Sequence, residues 1–312
     1  MARAKIDLRN AEEVRLRQTT KQLRQIREFY RDLSKHIKQE INKHGKDRMK
    51  KAQLILIQRD VRKRLEQINE QISSGIQYSM ITTARAVKDD TLEFLKKIGF
   101  KDKDVAGAFA YVPDNVVRNI LTGNVYKEQG GGDWSFSKAI WGNGQKVQSD
   151  INRVVSEGVA QGKSAYDIAK DLEKYVNPDA RKDWEWSKVY PGTDKVVDYS
   201  AQRLARTLIN HTYQQSVKTM NDANPFCTGY EWRTSNNHER ICKVCKKRNG
   251  RIYKKNELPL DHPNGMCIIV PAIPKTMSEI SREIGKWYRA PAGTYPKIDE
   301  YAKLFVNESD TL

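Results

Sequence analysis

The chain has 312 residues, of which 38% are apolar and 30% are charged, and its net charge is +17. This length is enough for two domains with sizeable cores. No run of about 18 apolar residues is present and no apolar core follows the N-terminal charges, so we expect neither a membrane-spanning helix nor a secretory signal. Four cysteines, three of them clustered, exclude a disulfide-rich scaffold and favour a reducing compartment.

The first two elements are predicted to be long amphipathic helices. Apolar residues recur every three or four positions within residues 10–44, which predicts one helix that ends before Gly45. The same spacing over residues 61–76 predicts a second helix, whose helical character continues to Ile98. Two such helices bury both apolar stripes most simply as an antiparallel hairpin.

A short helix is predicted over residues 113–121, because Pro113 suits a first turn and Gly123 follows its end. Residues 128–133 are rich in glycine and predict a flexible linker. We therefore expect an N-terminal basic helical region over residues 1–127 and a separate domain after the linker.

Residues 134–224 are predicted to form a helical core domain. Ser164 begins a capping-box pattern for a helix that runs to Val176. Residues 177–198 lack periodicity and predict a long surface loop. A further helix is predicted from Tyr199, with His211 on one face as an ordinary helix residue and not a metal ligand.

The pattern changes after Pro225. Alternation and turn residues predict three short strands over residues 230–234, 251–253 and 267–270. We call residues 225–274 the Cys/His module. The predicted fold class is thus mainly α with a small β-rich module near the C-terminus. The aromatic residues of the C-terminal segment, residues 275–312, either pack back on the module or dock a partner.

Three cysteines and one histidine of the module have the spacing of metal ligands. Cys242-x-x-Cys245 is followed by His262 and Cys267. Three thiolates and an imidazole suit tetrahedral zinc, and four protein ligands leave no open position, so such a zinc ion has a structural role. The alternatives are buried thiols or a disulfide-prone pair, with His262 closing a turn.

Positive charge is concentrated in two segments. Residues 1–70 carry a net charge of +10 and residues 240–255 carry +8 without any acid, whereas the rest is close to neutral. This segregation predicts surfaces that face nucleic acid or an acidic protein partner, the alternative being a solvated face that aids solubility. The predicted contact residues are Lys21, Arg24, Arg27, Lys35, Lys38, Arg62, Lys63, Arg64, Lys243, Lys246, Lys247, Arg248 and Arg251.

Residues 134–274 resemble the MuF-like minor head proteins, the head morphogenesis family of tailed bacteriophages. The resemblance rests on the following order of residues: Trp134 and Ile140-Trp141, residues 151–164, Ile168-Ala169 and Leu172, residues 201–207, Trp232, Cys242-x-x-Cys245, Gly250, and His262-Pro263 before Cys267. It implies a non-enzymatic minor capsid protein inside the virion head, at the portal vertex. The implied partners are portal protein, capsid or scaffolding protein and packaged double-stranded DNA, with host cytoplasm as the place of assembly.

One feature of the chain departs from the family pattern. Family members often close the motif with His-Pro-x-Cys-x-Cys, whereas this chain has a single cysteine, Cys267, after His262. A four-ligand site therefore has to use Cys267.

Two other functions stay open. A zinc-supported nuclease of the His-Asn-His type would use His262 as general base, although the chain lacks a later histidine and a second Cys-x-x-Cys. A non-specific DNA-binding protein would use the same basic residues.

Overall fold

A computed structural model describes residues 2–45, 49–128, 132–180, 197–234 and 241–305. These ranges are mainly helical and contain one three-stranded antiparallel sheet near the C-terminus, which confirms the predicted fold class. Within them, no helix combines the length and the apolar character needed to cross a membrane.

Contacts between Cα atoms divide the chain into two compact units. Unit 1 consists of Met1–Thr19, Gln77–Trp134 and Arg206–Leu312, and unit 2 consists of Thr20–Ile76 and Ser135–Ala205. Both units draw on segments that are far apart in the chain. The division into consecutive domains stays a prediction.

The two long helices predicted at the N-terminus are present as α1, Arg9–His44, and α2, Lys51–Lys97. In unit 1, the backbone N–H of Ala11 donates to Asp90 at 2.8 Å. In unit 2, the ring of His36 contacts Asp60 at 2.7 Å. The start of α1 thus lies beside the end of α2 in unit 1, and the end of α1 lies beside the start of α2 in unit 2, as an antiparallel hairpin requires. The apolar stripe of α1 is buried, namely Ile26, Tyr30, Leu33, Ile37 and Ile41.

Unit 2 also contains α6, Phe136–Ala160, and α7, Ala165–Val176. The Ser164 hydroxyl accepts from the Asp167 N–H at 3.1 Å, so the predicted cap is present. Tyr175 on α7 donates to the buried Asp150 on α6 at 2.7 Å, which joins the two helices. Of the predicted loop over 177–198, residues 181–196 lie outside the described ranges.

The short helices of unit 1 are α3, Asp102–Val105, α4, Val112–Thr122, and α5, Asn124–Glu128. Helix α4 matches its prediction, and Gly123 ends it with a φ of 85°. Half of the predicted linker, residues 129–131, lies outside the described ranges. Helix α8, Tyr199–Asp222, begins where it was predicted and continues from unit 2 into unit 1.

The sheet of the Cys/His module is formed by β1, Gly229–Arg233, β2, Ile252–Tyr253, and β3, Ile268–Ala272. Strand β1 lies in the middle and pairs antiparallel with both neighbours. All three predicted strands are therefore present. A six-residue helix that the sequence did not predict, α9, Lys243–Arg248, lies between β1 and β2 in the chain.

The C-terminal segment contains α10, Met277–Trp287, and α11, Pro296–Lys303. Its aromatic side chains pack into the core of unit 1. The Phe100 ring lies 5.7 Å from Trp287 and 5.1 Å from Phe305, and Tyr301 is fully buried. They share this core with Tyr230 and Ile269 of the Cys/His module, as the alternative of packing back on the module predicted. The tail from residue 306 lies outside the described ranges.

Candidate metal centre

The four predicted ligand residues are carried by two parts of the Cys/His module. Cys242 is the N-cap of α9, and its sulfur accepts from the Cys245 N–H at 3.4 Å, so both thiols lie at the start of one helix. His262 and Cys267 flank a tight turn before β3. In that turn the Gly265 N–H donates to the His262 carbonyl at 2.9 Å, and Asn264 adopts a φ of 69°.

Three of the four side chains meet directly. The Nε2 atom of His262 lies 3.4 Å from the Cys242 sulfur and 3.2 Å from the Cys245 sulfur. All three ligand atoms lie within 4.8 Å of one another. A second group with the same spacing consists of Cys245, Cys267 and Asp261, so Cys267 joins the first group through Cys245. The structure thus brings the four predicted residues into one cluster that could hold a metal, and Asp261 lies beside Cys245 and Cys267 in it.

The hydrogen bonds of His262 leave one ring nitrogen for a metal. Its Nδ1 lies 3.0 Å from the Pro263 carbonyl, which can only accept, so Nδ1 carries the proton. The lone pair of Nε2 then faces the two sulfurs. Burial alone lowers the pKa of His262, but the bond to Pro263 and the charges of Asp261 and Cys242 outweigh it, leaving that pKa above its ordinary value.

The two thiols of the Cys-x-x-Cys pair differ in environment. The N–H of Cys245 and the nearby His262 lower the pKa of the exposed Cys242 thiol. Burial, followed by hydrogen bonds with Cys267 and Cys242, raises the pKa of Cys245. All four cysteines are free thiols, and the fourth, Cys227, donates to the Gly229 carbonyl at 3.2 Å instead of joining the cluster. A Cys242–Cys245 disulfide is therefore not formed in this structure.

The donor set fits zinc. Thiolates and a neutral imidazole are its preferred ligands. The two sulfurs lie close enough to Nε2 of His262 for all three atoms to contact a single ion. The Nδ1–H to carbonyl bond of His262 is the kind of outer contact that orients a ligating imidazole.

The buried carboxylate of Asp261 lies beside the candidate ligands, and the sequence analysis did not assign it to the site. Asp261 accepts from the N–H groups of His262 at 2.9 Å and Cys267 at 3.1 Å, and from the Asn210 amide at 3.0 Å. Burial raises its pKa, against which the charge of His262 acts. The one signal in the sequence is its position next to a predicted ligand.

His211 on α8 is close to this loop but does not face the thiols. Its Nε2 lies 3.0 Å from the Asp261 carbonyl and its Nδ1 lies 3.0 Å from the Tyr126 hydroxyl. Nε2 therefore carries the proton, and Nδ1 accepts from tyrosine. Burial lowers the pKa of His211 to about 4, so the ring is neutral at pH 7.

The predicted basic contact residues of unit 2 lie on α1 and α2, and several are paired. Arg24 pairs with Glu28 at 3.0 Å, and Arg27 with Asp179 at 3.1 Å. Lys35 pairs with Asp32 at 3.1 Å. Arg64 pairs with Asp60, and Arg62 donates to the Asn152 side chain. The side chains of Lys21, Lys38 and Lys63 are exposed. Part of the charge of this surface is thus balanced within the unit.

Fewer of the basic residues of the Cys/His module form ion pairs. Arg248 lies 5.0 Å from the centre of the Trp232 ring and donates to the Leu260 carbonyl at 3.3 Å. Lys243, Lys246, Lys247 and Arg251 are exposed, and no ion pair engages them among the residues that the structure describes. They form the more available cationic surface, which we call the α9 surface.

Comparison of the chain with protein-family models, with curated proteins and with solved structures found no match. What the site can do is therefore judged from its own residues.

Proposed function

We propose that this chain is a non-catalytic minor head protein of a tailed bacteriophage, similar to the MuF-like proteins, with a structural zinc ion in its Cys/His module. The zinc ligands are Cys242, Cys245, His262 and Cys267. The proposed place is the head interior at the portal vertex, with portal protein, capsid or scaffolding protein and packaged DNA as partners.

The observation that carries the zinc proposal is the meeting of Cys242, Cys245 and His262 within 4.8 Å. The residues come from two segments of the chain with little secondary structure between them. Bound zinc would supply a fixed crosslink between these segments, which a small sheet with a two-residue edge strand does not supply by itself.

The nuclease alternative finds less support in the geometry. A general base needs a free lone pair near its substrate. The Nδ1 of His262 donates to Pro263 and its Nε2 faces the two sulfurs, so neither nitrogen is left for a substrate proton. We therefore favour a structural role for His262.

The α9 surface supports a contact with packaged DNA. Its four exposed cations come from one helix and the adjacent turn, which suits contacts with phosphates that carry no sequence information. Because Cys242 caps α9 and Cys245 lies within it, two of the proposed zinc ligands also hold this surface.

Metal analysis of the full chain tests the zinc site. We expect about one zinc ion per chain for the wild type, by mass spectrometry of the purified protein, and loss of that zinc in Cys245→Ser. Cys227→Ser is the matched control, since Cys227 is also a buried thiol but lies outside the cluster. Zinc-free wild type, or equal zinc in Cys245→Ser, contradicts the site.

DNA binding is tested by replacing Lys243, Lys246 and Lys247 with alanine. The logarithm of the affinity should fall less steeply with the logarithm of salt, by about 0.9 for each lost phosphate contact, and equally for unrelated sequences. A loss that depends on the DNA sequence would contradict non-specific binding and would indicate a protein that reads bases, such as a DNA-binding regulator.

The role in head assembly is tested by purifying the tagged protein from cells infected by the phage that encodes it. Recovery of portal protein and procapsids is the expected result. Recovery of nucleic acid alone, with metal-dependent nicking of plasmid that is lost in His262→Ala, would establish the nuclease.

A further inference from the structure

A chain of buried hydrogen bonds runs inward from the candidate metal ligands. The Asp261 carboxylate accepts from the main-chain N–H groups of His262 and Cys267. Its Oδ2 also accepts from the Asn210 amide on α8, at 3.0 Å. The Asn210 carbonyl oxygen in turn accepts from the guanidinium of Arg15 on α1, at 2.9 Å. Four hydrogen bonds thus connect two ligand residues with α1, all within unit 1.

All the side chains of this network are removed from water. Arg15 is 4% exposed, Asn210 is 1% exposed and Asp261 is 3% exposed. A buried carboxylate and a buried guanidinium are stable only when their hydrogen bonds and charges are matched. Their arrangement is therefore specific: the loss of one member leaves another buried group without its partner.

The Asn210 amide has one orientation that satisfies its neighbours. Its nitrogen donates to Asp261 and also to the Cys267 carbonyl at 3.1 Å, while its oxygen faces Arg15. Gln214, one turn further along α8, donates to the same Cys267 carbonyl at 2.9 Å. Helix α8 therefore holds both the N–H side, through Asp261, and the C=O side of the residue that carries the last thiol.

We propose that Asp261 is the positioning residue of the metal site, and that Asn210 and Arg15 extend its action to α1, so that metal binding and the packing of the first turns of α1 stabilise each other. This inference rests on the proposed zinc site. Asp261 acts through the backbone of His262 and Cys267. It is not itself counted as a ligand, because Cys242, Cys245, His262 and Cys267 already fill a tetrahedral zinc site.

The first test measures zinc affinity of the full chain by competition with a chromophoric chelator. Asp261→Asn keeps the side-chain volume but replaces an acceptor by a donor, and we expect zinc to bind about 10–100-fold more weakly. Arg15→Met, which keeps the apolar stem and removes the guanidinium, should also weaken zinc binding. Asp150→Asn is the control, since Asp150 is a buried carboxylate of unit 2 that accepts from Tyr175. The zinc affinity of this variant should equal that of the wild type.

Cobalt substitution separates positioning from ligation. The thiolate-to-cobalt absorption of Asp261→Asn should keep the wild-type shape at saturating metal, because the ligands are unchanged. A changed spectrum would make Asp261 a ligand and overturn the positioning role.

A second measurement needs no variant. Amide hydrogen exchange of residues 9–19 in the wild-type chain should be slower with zinc than after treatment with a chelator, while exchange in α7 should stay the same. Equal exchange in α1 with and without zinc would overturn the coupling, as would wild-type zinc affinity in both Asp261→Asn and Arg15→Met. A wild-type chain that binds no zinc would overturn the proposed site together with this inference, whereas the other results concern the inference alone.

Discussion

Replacement of Gly265 by alanine should destabilise the protein although the backbone at this position permits any residue. The positive φ of the turn belongs to Asn264, at 69°, and Gly265 lies outside that region. A Cβ atom at Gly265 would instead lie under 3.0 Å from the carboxyl carbon and both oxygens of Asp261. That carboxylate cannot swing away, because three N–H donors hold it and its side chain is 0% exposed.

The expected cost follows from these contacts. Overpacking of a filled site costs about 1–3 kcal/mol, and a lost hydrogen bond to a charged group costs about 1.5–3 kcal/mol. We therefore expect Gly265→Ala to lower the free energy of unfolding by about 3 kcal/mol, measured by urea unfolding followed by circular dichroism.

Two comparisons make this measurement specific to the carboxylate. Gly132→Ala is the control, since nothing lies within 4 Å of a Cβ at that position, and it should change stability by less than about 0.5 kcal/mol. In an Asp261→Ala background, Gly265→Ala should cost less than about 1 kcal/mol, because the atoms that it meets are gone. A Gly265→Ala chain as stable as the wild type would refute the steric argument.

Three further substitutions test other parts of the fold. Tyr175→Phe removes the hydroxyl that donates to the buried Asp150, and urea unfolding should show a loss of about 2 kcal/mol, against no change if that bond is unimportant. His211 has a folded pKa of about 4 against an ordinary 6.5, so the unfolded chain takes up the proton first; stability should fall as pH drops from 6.5 to 4, by up to about 3 kcal/mol. The free energy of unfolding should depend less steeply on pH in His211→Gln. An equal dependence in both proteins would mean that other groups cause it. In α6, a Cβ at Gly142 would meet nothing within 4 Å. Gly142→Ala should therefore increase the free energy of unfolding by up to about 1 kcal/mol and raise the melting temperature. A lower melting temperature would mean that the glycine is needed there.

The elements that the sequence predicted are those whose signals are local. The spacing of Ile26, Ile37 and Ile41 specifies a helix because each apolar residue lies one turn from the next, and all three are buried. Gly123 ends α4 through its own backbone conformation. The cluster of cysteines and histidine was likewise predictable, since a Cys-x-x-Cys pair followed by a histidine and a cysteine is a property of spacing.

The residues that organise the site from behind carry no such signal. Asn210 lies 51 residues from Asp261 in the chain, and Arg15 lies 195 residues from Asn210. An arginine among many on a basic helix is indistinguishable from its neighbours until the fold buries it. Helix α9 was missed for a related reason, because a six-residue helix is too short to show a period.

The 195-residue separation of Arg15 from its partner on α8 also has a consequence during synthesis. At roughly 5–20 residues per second, the ribosome reaches Asn210 about 10–40 s after Arg15 has been made. Helix α2 is complete long before that, so the hairpin can form early. The buried face of the first turns of α1 then has no contact with α8, because α8 has not yet been made. The newly made chain therefore spends that interval with Arg15 in water and Ala11 and Val14 without their final neighbours. During this interval the nascent protein exposes apolar surface that can aggregate or bind the chaperones of the cell that makes it.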